Sequence, residues 1–486
     1  MAIYHLTANI ISRARGQRVV AAAAYRAGAS LHDERYGVTH NYLGKHGTVH
    51  SEIMAPAGSP AWVHDRDVLW NRVEASEFRK DSQLARVIEV GLPVELSTEE
   101  CVALVRDYAA KEFVAKGMIA DFSIRGTTNN PHAHILLTLR RVTASGFGPK
   151  ERRWNGKSAL LEWRSAWATQ ANEHLARAGH AVRIDHRTLE AQQIELMPGR
   201  RIGAGRARQG DEAWPSHVTE RIAEQQQIAK ENGRTILEDP TVALRALTHQ
   251  KPIFTDEDLA RFLRSRTENA AQFDAVLRAV TLSKDLVALD SDESGRGRFT
   301  SRDMIEAGNS LIRRTVSMVA RHRHGVASDR RTAAFKQFSM DEAQRRAFEY
   351  LVSEGDVKAI AVTDATKDTL LAAARHAWDS EGMIVKGAAL SGPAAERLVV
   401  ASGINALSLA KCEEGWQQGL ALPDSGTVLL IDGSQMIGLK QLERVLAVAD
   451  NARAKLVLVA DSDRLQAMRV DSPFLSVLRQ VGSPPF

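Results

Sequence analysis

The sequence has little cysteine: two residues in 486, Cys101 and Cys412. They stand far apart and show no metal-ligand spacing. That excludes a disulfide-rich mini-protein and points to a reducing compartment, the cytoplasm. Long apolar runs are also missing. The longest, TVLLI at 427–431 and KLVLVA at 455–460, are strand-sized, far short of the ~18 residues that cross a bilayer, so no membrane is expected. The opening MAIYHLTANIISRARG is apolar and then basic, the reverse of a secretory signal. Proline and glycine number only 14 and 33, and there is no internal repeat or low-complexity tract. A collagen-like or wholly disordered chain is thereby excluded.

What is present describes a globular protein with room for two or three domains. Lysine and arginine total 64 against 59 acids, a net charge of +5. Such an excess permits a nucleic-acid partner without requiring one. Arginines gather in KERRW (150–154), GRRIGAGRAR (199–208) and RHRHGVASDRR (321–331). Each reads either as a solvated loop or as a phosphate-contacting patch.

Pattern divides the chain at about 205 and 334. In 1–205, IYHLTANII and RVIEVGLPVEL read as strands. GQRVVAAAAYRAGA is Ala-rich and helical, and it carries Tyr25. Ser97 and Glu100 form a capping box for the helix that follows. MIADFSIRG and PHAHILLTLRRV read as two strands joined by a GTTNN turn, and SALLEWRSAWATQANEHLARAG as a helix ended by Gly179. Residues 206–334 are mainly helical, with a helix, helix, strand, strand order over 252–305 that suggests a winged-helix-like module capped at Thr255. From 335 to 486 strands alternate with helices, the layout of a parallel α/β sheet.

One pair carries chemistry. His132 and His134 are two apart on a predicted strand, so period two puts both imidazoles on one face. Two imidazoles on one side of a sheet can contribute to a divalent-cation site. Together with the N-terminal segment carrying Tyr25, the VIEVGLPVEL strand and RAGHAVRIDHRTLEAQQIELMPGRRIG, this PHAH segment closely resembles the MobA/MobL family of conjugative plasmid relaxases, over about residues 1–205. The resemblance implies an α+β domain, an antiparallel sheet with helices of the histidine-cluster nuclease type. It implies a single-strand DNA nuclease and strand transferase whose nucleophile matches Tyr25 and whose metal ligands match His132 and His134. The ion expected is Mg2+ or Mn2+. Glu89 and Glu52 match acidic positions able to take the phenolic proton.

The sequence departs from that family at Arg125, which stands where a third histidine is expected. A guanidinium stays protonated and has no lone pair for a metal. Three arrangements are open. Glu89 or His5 completes the site, Arg125 clamps the phosphate itself, or the nuclease is weakened.

The C-terminal region resembles the first RecA-like motor domain of RecD-like helicases, as fused to relaxases in Ti-type conjugal transfer proteins. Gln344 matches the adenine-reading glutamine, Lys367 the phosphate-loop lysine and Asp432 the metal-binding acid. The chemistry is eroded around them. Asp364 and Thr366 occupy glycine-like positions, Asp368 replaces the loop hydroxyl, and Gly433 replaces the second acid. The expectation is a RecA-like fold without ATP binding or ATPase activity. The whole chain is expected to bind origin-of-transfer single-stranded or hairpin DNA and to nick and rejoin it. Other relaxosome proteins and type IV secretion coupling proteins are the expected protein partners. The alternative is a catalytically impaired relaxase–helicase remnant that binds DNA or relaxosome proteins without cutting.

Overall fold

The computed structural model describes residues 4–44, 47–126, 130–143, 146–199, 216–291, 295–467 and 472–482. Most of the arginine stretch at 199–208, the expected boundary near 205 and the middle of the GTTNN turn lie outside them. Two compact units divide the chain. One holds Met1–His180, Gly387–Leu420 and Asp463–Val470; the other holds Ala181–Lys386, Ala421–Ser462 and Asp471–Phe486.

The N-terminal elements are β1 (Leu6–Ser12), α1 (Val19–Ala27), β2 (Ser30–Asp33), β3 (Val38–Asn41), β4 (Thr48–Met54), α2 (Arg66–Ala75), β5 (Gln83–Gly91), α3 (Thr98–Ala109), β6 (Ala120–Arg125), β7 (His132–Thr138), β8 (Arg140–Thr143), β9 (Gly146–Lys150) and α4 (Lys157–Arg177). Five strands make an antiparallel sheet in the order β1-β5-β7-β6-β4. Local chemistry sets its elements. Ser97 and Glu100 form the expected capping box on α3. Gly28 ends α1 at φ 65°, a left-handed conformation that glycine adopts without steric cost.

Strand alternation gives the sheet two faces. Ala85, Val87 and Leu136 on one face join Val20, Ala24, Leu69 and Trp70 of α1 and α2 in a single buried cluster. On the opposite face, β4 contributes Glu52, which Arg106 of α3 bonds. Tyr108 and Phe113 stack edge-to-face with Trp167 and Trp163, tying the α3 segment to α4. Burial of such rings at a packed layer is worth several kcal/mol in total.

The middle of the chain is α5 (Ser216–Glu238), α6 (Thr241–Gln250), β10 (Phe254–Thr255), α7 (Asp256–Arg264), α8 (Ala270–Thr281), β11 (Leu286–Leu289), β12 (Arg298–Ser301) and α9 (Arg302–Val319). Its small sheet runs β10-β12-β11. Thr255 caps α7 through a reciprocal bond with Asp258. A short strand, β10, precedes the helix, helix, strand, strand order that the sequence pattern suggests and pairs with β12 in the same small sheet.

Then come α10 (Ser328–Gln337), α11 (Glu342–Val352), β13 (Val357–Val362), α12 (Asp364–Ser380), β14 (Ile384–Ala389), α13 (Gly392–Ser402), β15 (Asn405–Ser408), α14 (Leu409–Gln417), β16 (Thr427–Asp432), α15 (Leu439–Ala452), β17 (Lys455–Asp461), α16 (Ser462–Ala467) and α17 (Pro473–Val481). Strands β13, β17 and β16 pair in parallel in that order. Their almost continuous apolar runs are buried, as a parallel sheet requires. No helix among the described residues is long and apolar enough to cross a membrane.

Candidate functional site

Register decides which residues meet. His132 pairs with Arg125 on one side and Gly91 on the other, and His134 with Ser123 and Glu89. Cross-strand partners share a face, so His132, His134, Glu89 and Arg125 lie together at one end of the sheet. The two imidazole rings are 5.1 Å apart and nearly perpendicular. Glu89 lies 4.0 Å from His134 Nδ1 and 3.7 Å from His5 Nε2.

Helix α1 packs on this face and brings Tyr25 to it. The Arg125 guanidinium lies 5.1 Å from the centre of the Tyr25 ring, and its Nη1 donates to the Tyr25 carbonyl at 3.4 Å. Tyr42 meets the same ring edge-on at 5.4 Å. Tyr25 remains 39% exposed, whereas Arg125 is only 8% exposed. The phenol is thus open to solvent beside a cation that the fold has largely desolvated.

A residue that sequence reasoning overlooked completes the cluster. Arg26 follows Tyr25 and is the one charged residue of α1. Burial, with a contribution from the charge of Arg125, pushes its pKa below the ordinary arginine value, against the pull of Glu89 and Asp121. Burial lowers Arg125 as well. The available signal was an arginine in an otherwise apolar helix, directly after the candidate nucleophile.

Glu52 is not part of the cluster, which corrects the expectation that it shares the site. It pairs with Phe122, whose neighbour Ser123 faces the histidines, so Glu52 lies on the opposite face. Arg106 donates to it at 2.7 Å and His50 Nε2 lies 3.0 Å away. The Arg106 hydrogen bond outweighs partial burial and holds the carboxyl below its usual range.

The centre that the family resemblance implies has three histidine ligands. The donors here are the two imidazoles, Glu89 beside His134, and His5 beside Glu89; the third strand position is Arg125. Among the described residues no group of three or more histidine, cysteine, aspartate or glutamate side chains comes together as a metal cage. The residue at the third strand position, Arg125, has no lone pair to give a metal, so the three-histidine centre is not formed by these strands.

The second constellation is closed by its own side chains. Lys367 Nζ lies 2.9 Å from Asp364 and 3.2 Å from Asp432. Burial lowers its pKa, but the two carboxylates outweigh that and leave it above the ordinary lysine value. Asp364 occupies the first turn of α12, where a helix N-terminus otherwise favours a phosphate. Gln344 is spent on a capping box with Asp341 at the start of α11.

With this geometry in place, the comparisons are consistent. The MobA/MobL family profile matches residues 17–211, and the profile described as an AAA domain matches 339–484. A mobilization protein MobL of Acidithiobacillus ferridurans is 36% identical over 277 residues, covering 49% of this chain and 72% of that protein. The conjugal transfer protein TraA of Rhizobium radiobacter is 33% identical over 525 residues, 99% of this chain and 48% of its own length. A solved structure from work on vancomycin-resistance transfer in Staphylococcus aureus is 34% identical, covers 38% of this chain and all of that one, and has a TM-score of 0.37. The chain belongs to the MobA/MobL family of conjugative relaxases and mobilization proteins, with an AAA domain of the RecD-like kind behind the relaxase domain. It spans about half the length of the conjugal transfer proteins that it matches.

Proposed function

We propose that this protein binds origin-of-transfer DNA as a single strand beside a hairpin, and that it cuts and rejoins the strand through Tyr25. The observation that carries the reading is the contiguity of an exposed phenol, a desolvated guanidinium, two imidazoles and a carboxylate on one sheet face. In the step proposed, a bond forms between Tyr25 Oη and phosphorus as the bond from phosphorus to the 3′-oxygen breaks. The phenolic proton passes to Glu89, and the departing 3′-oxygen takes a proton from water. The product is a 5′-phosphotyrosyl ester and a free 3′-hydroxyl. The ester conserves the bond, so reversal reseals the strand. Basic residues supply salt-sensitive affinity for the phosphates. The relaxosome and secretion-coupling partners of the family belong to the same reading, and no ATP is consumed.

Incubation with labelled single strand from the carrying plasmid's transfer origin tests this. An adduct resistant to SDS is expected, and Tyr25→Phe should lower its formation on the order of 10³-fold or more. An adduct that survives the substitution assigns the nucleophile elsewhere. Running the reaction with EDTA, Mg2+ and Mn2+ reads the contribution of the divalent ion that the family resemblance implies. The second reading, binding without cutting, is favoured by Arg125 at the third-histidine position. Failure to form adduct with origin DNA that the protein demonstrably binds would select it.

A further inference from the structure

We propose that the scissile phosphate is held and polarised by a guanidinium pair, Arg125 and Arg26, which supplies the positive charge that a three-histidine metal centre would otherwise provide. The inference rests on the tyrosyl reading and names the groups that receive its phosphate.

Charge balance is the first argument. The charges of Glu89, Arg125 and Asp121 all bear on the Arg26 guanidinium; the Arg26 carbonyl accepts from Thr48 Oγ1 at 3.4 Å, and Thr48 is the register partner of Arg125. Asp121 is already occupied, since Arg66 bonds both its oxygens at 2.9–3.1 Å and Trp70 Nε1 donates to it at 2.8 Å. Of these two carboxylates, Glu89 is the one left to set against the two cations. A pocket with one uncompensated, desolvated positive charge is built to take an anion.

Donor supply is the second. A guanidinium presents five N–H donors. Among the described residues Arg125 uses one, at 3.4 Å, and Arg26 Nη1 donates to Ala22 at 2.9 Å. Arg26 Nε is buried with no hydrogen-bond partner there. Unspent donors on two planar forks suit the equatorial oxygens of a phosphodiester, which arginine engages in pairs. Position is the third argument. Arg125 lies over the Tyr25 ring and is the register partner of His132, between the attacking group and the histidine pair.

The test uses the full chain and a short fluorescent oligothymidylate in EDTA, over a salt series. Arg26→Gln and Arg125→Gln should each weaken binding about 5- to 10-fold and flatten the logarithmic salt slope by about 0.7 for each phosphate that is no longer neutralised. Arg26→Lys and Arg125→Lys, judged folded by circular dichroism, should lose about 2- to 3-fold, since charge is kept and the fork is removed. Calorimetry with Mn2+ alone should give weak or no binding to the wild type and measurable binding to Arg125→His. The arginine pair is overturned if neither glutamine variant changes the slope, if oligothymidylate binds only after Mn2+ is added, or if the wild type binds Mn2+ as tightly as Arg125→His. Those outcomes leave the Tyr25 adduct assay intact, whereas binding without adduct sinks the tyrosyl reading and leaves the arginine result standing.

Discussion

Two regions of this molecule are expected by family to meet a phosphate, and they have settled their charges in opposite ways. At the β6–β7 end of the antiparallel sheet, the charges of Arg125 and Glu89 both bear on the Arg26 guanidinium. At the junction of β16 and α12, one ammonium faces two carboxylates. The first site carries positive charge in excess, so an anion completes it. The second holds its ammonium between two carboxylates of its own chain. The family-matched lysine is present at the second site, and what distinguishes that site from the first is the pair of carboxylates beside it.

The two glutamates matched to the family sharpen this comparison with the largest expected effect. Glu89 faces the histidines and Glu52 the other side of the sheet. Glu89→Gln should slow adduct formation roughly 10²-fold, the lower range of general-base contributions. Glu52→Gln should leave the rate within about 3-fold and cost about 1 kcal/mol of stability, because its Arg106 partner is half exposed. The Glu52 carboxyl sits below its usual range, so its contribution is present at neutral pH and lost as the pH falls through the folded value. Equal loss of activity in the two variants breaks the assignment by face.

That pair also shows where sequence reasoning stops. The alternation of RVIEVG and HAHILL set the phase of β5 and β7, so the histidine face was legible without coordinates. Glu52 lies in β4, whose HSEIM stretch alternates poorly and whose register shifts between Thr48 and His50. A shift of one residue reverses every side chain, and the phase could not be read. Arg26 escaped because a helix pattern says which residues are apolar, not which polar one is turned inward. The erosion of the nucleotide motifs was plain in the sequence. The ion pair between Lys367 and Asp432, 65 residues apart, depends on β13, which leads into α12, and β16 both pairing in parallel with the β17 strand between them.

A third cation separates burial from pairing. Lys455, at the start of β17, is fully buried and donates to the backbone carbonyls of Ser353 at 2.6 Å and His324 at 3.2 Å. With carbonyls rather than a carboxylate as these partners, burial brings its pKa down to about 7, assisted by the charge of Lys358. Its folded value lies below its unfolded one, so the unfolded chain binds more protons between about pH 7 and 10 and stability rises with pH across that window. The stability difference between wild type and Lys455→Met, followed by denaturant titration, should therefore shift by about 2–3 kcal/mol in favour of the wild type from pH 7 to pH 9. A flat difference means that Lys455 keeps its proton and that burial alone does not discharge a lysine here.

Lys367 gives the smallest effect and the most direct test of the closed site. Its two carboxylates raise its pKa despite burial, so the stability that the pair contributes is present below the ordinary lysine value and is lost as the pH rises through the higher folded one. Lys367→Met leaves Asp432, 15% exposed at its side chain, facing the sheet end without its ammonium. The cost should be about 1–2 kcal/mol, and Asp432→Asn should cost a similar amount, since each leaves a half-buried polar group unpaired. The double variant should cost less than the two together, by about 1 kcal/mol, if the groups act as a pair. Millimolar MgATP should leave Tm unchanged in the wild type, because a ligand stabilises only the folded state that it binds. A rise in Tm with MgATP would show that the triphosphate displaces Asp364 and Asp432 from the lysine. The two regions would then differ only in what occupies them at rest, and the distinction between an open and a neutralised phosphate site would fail.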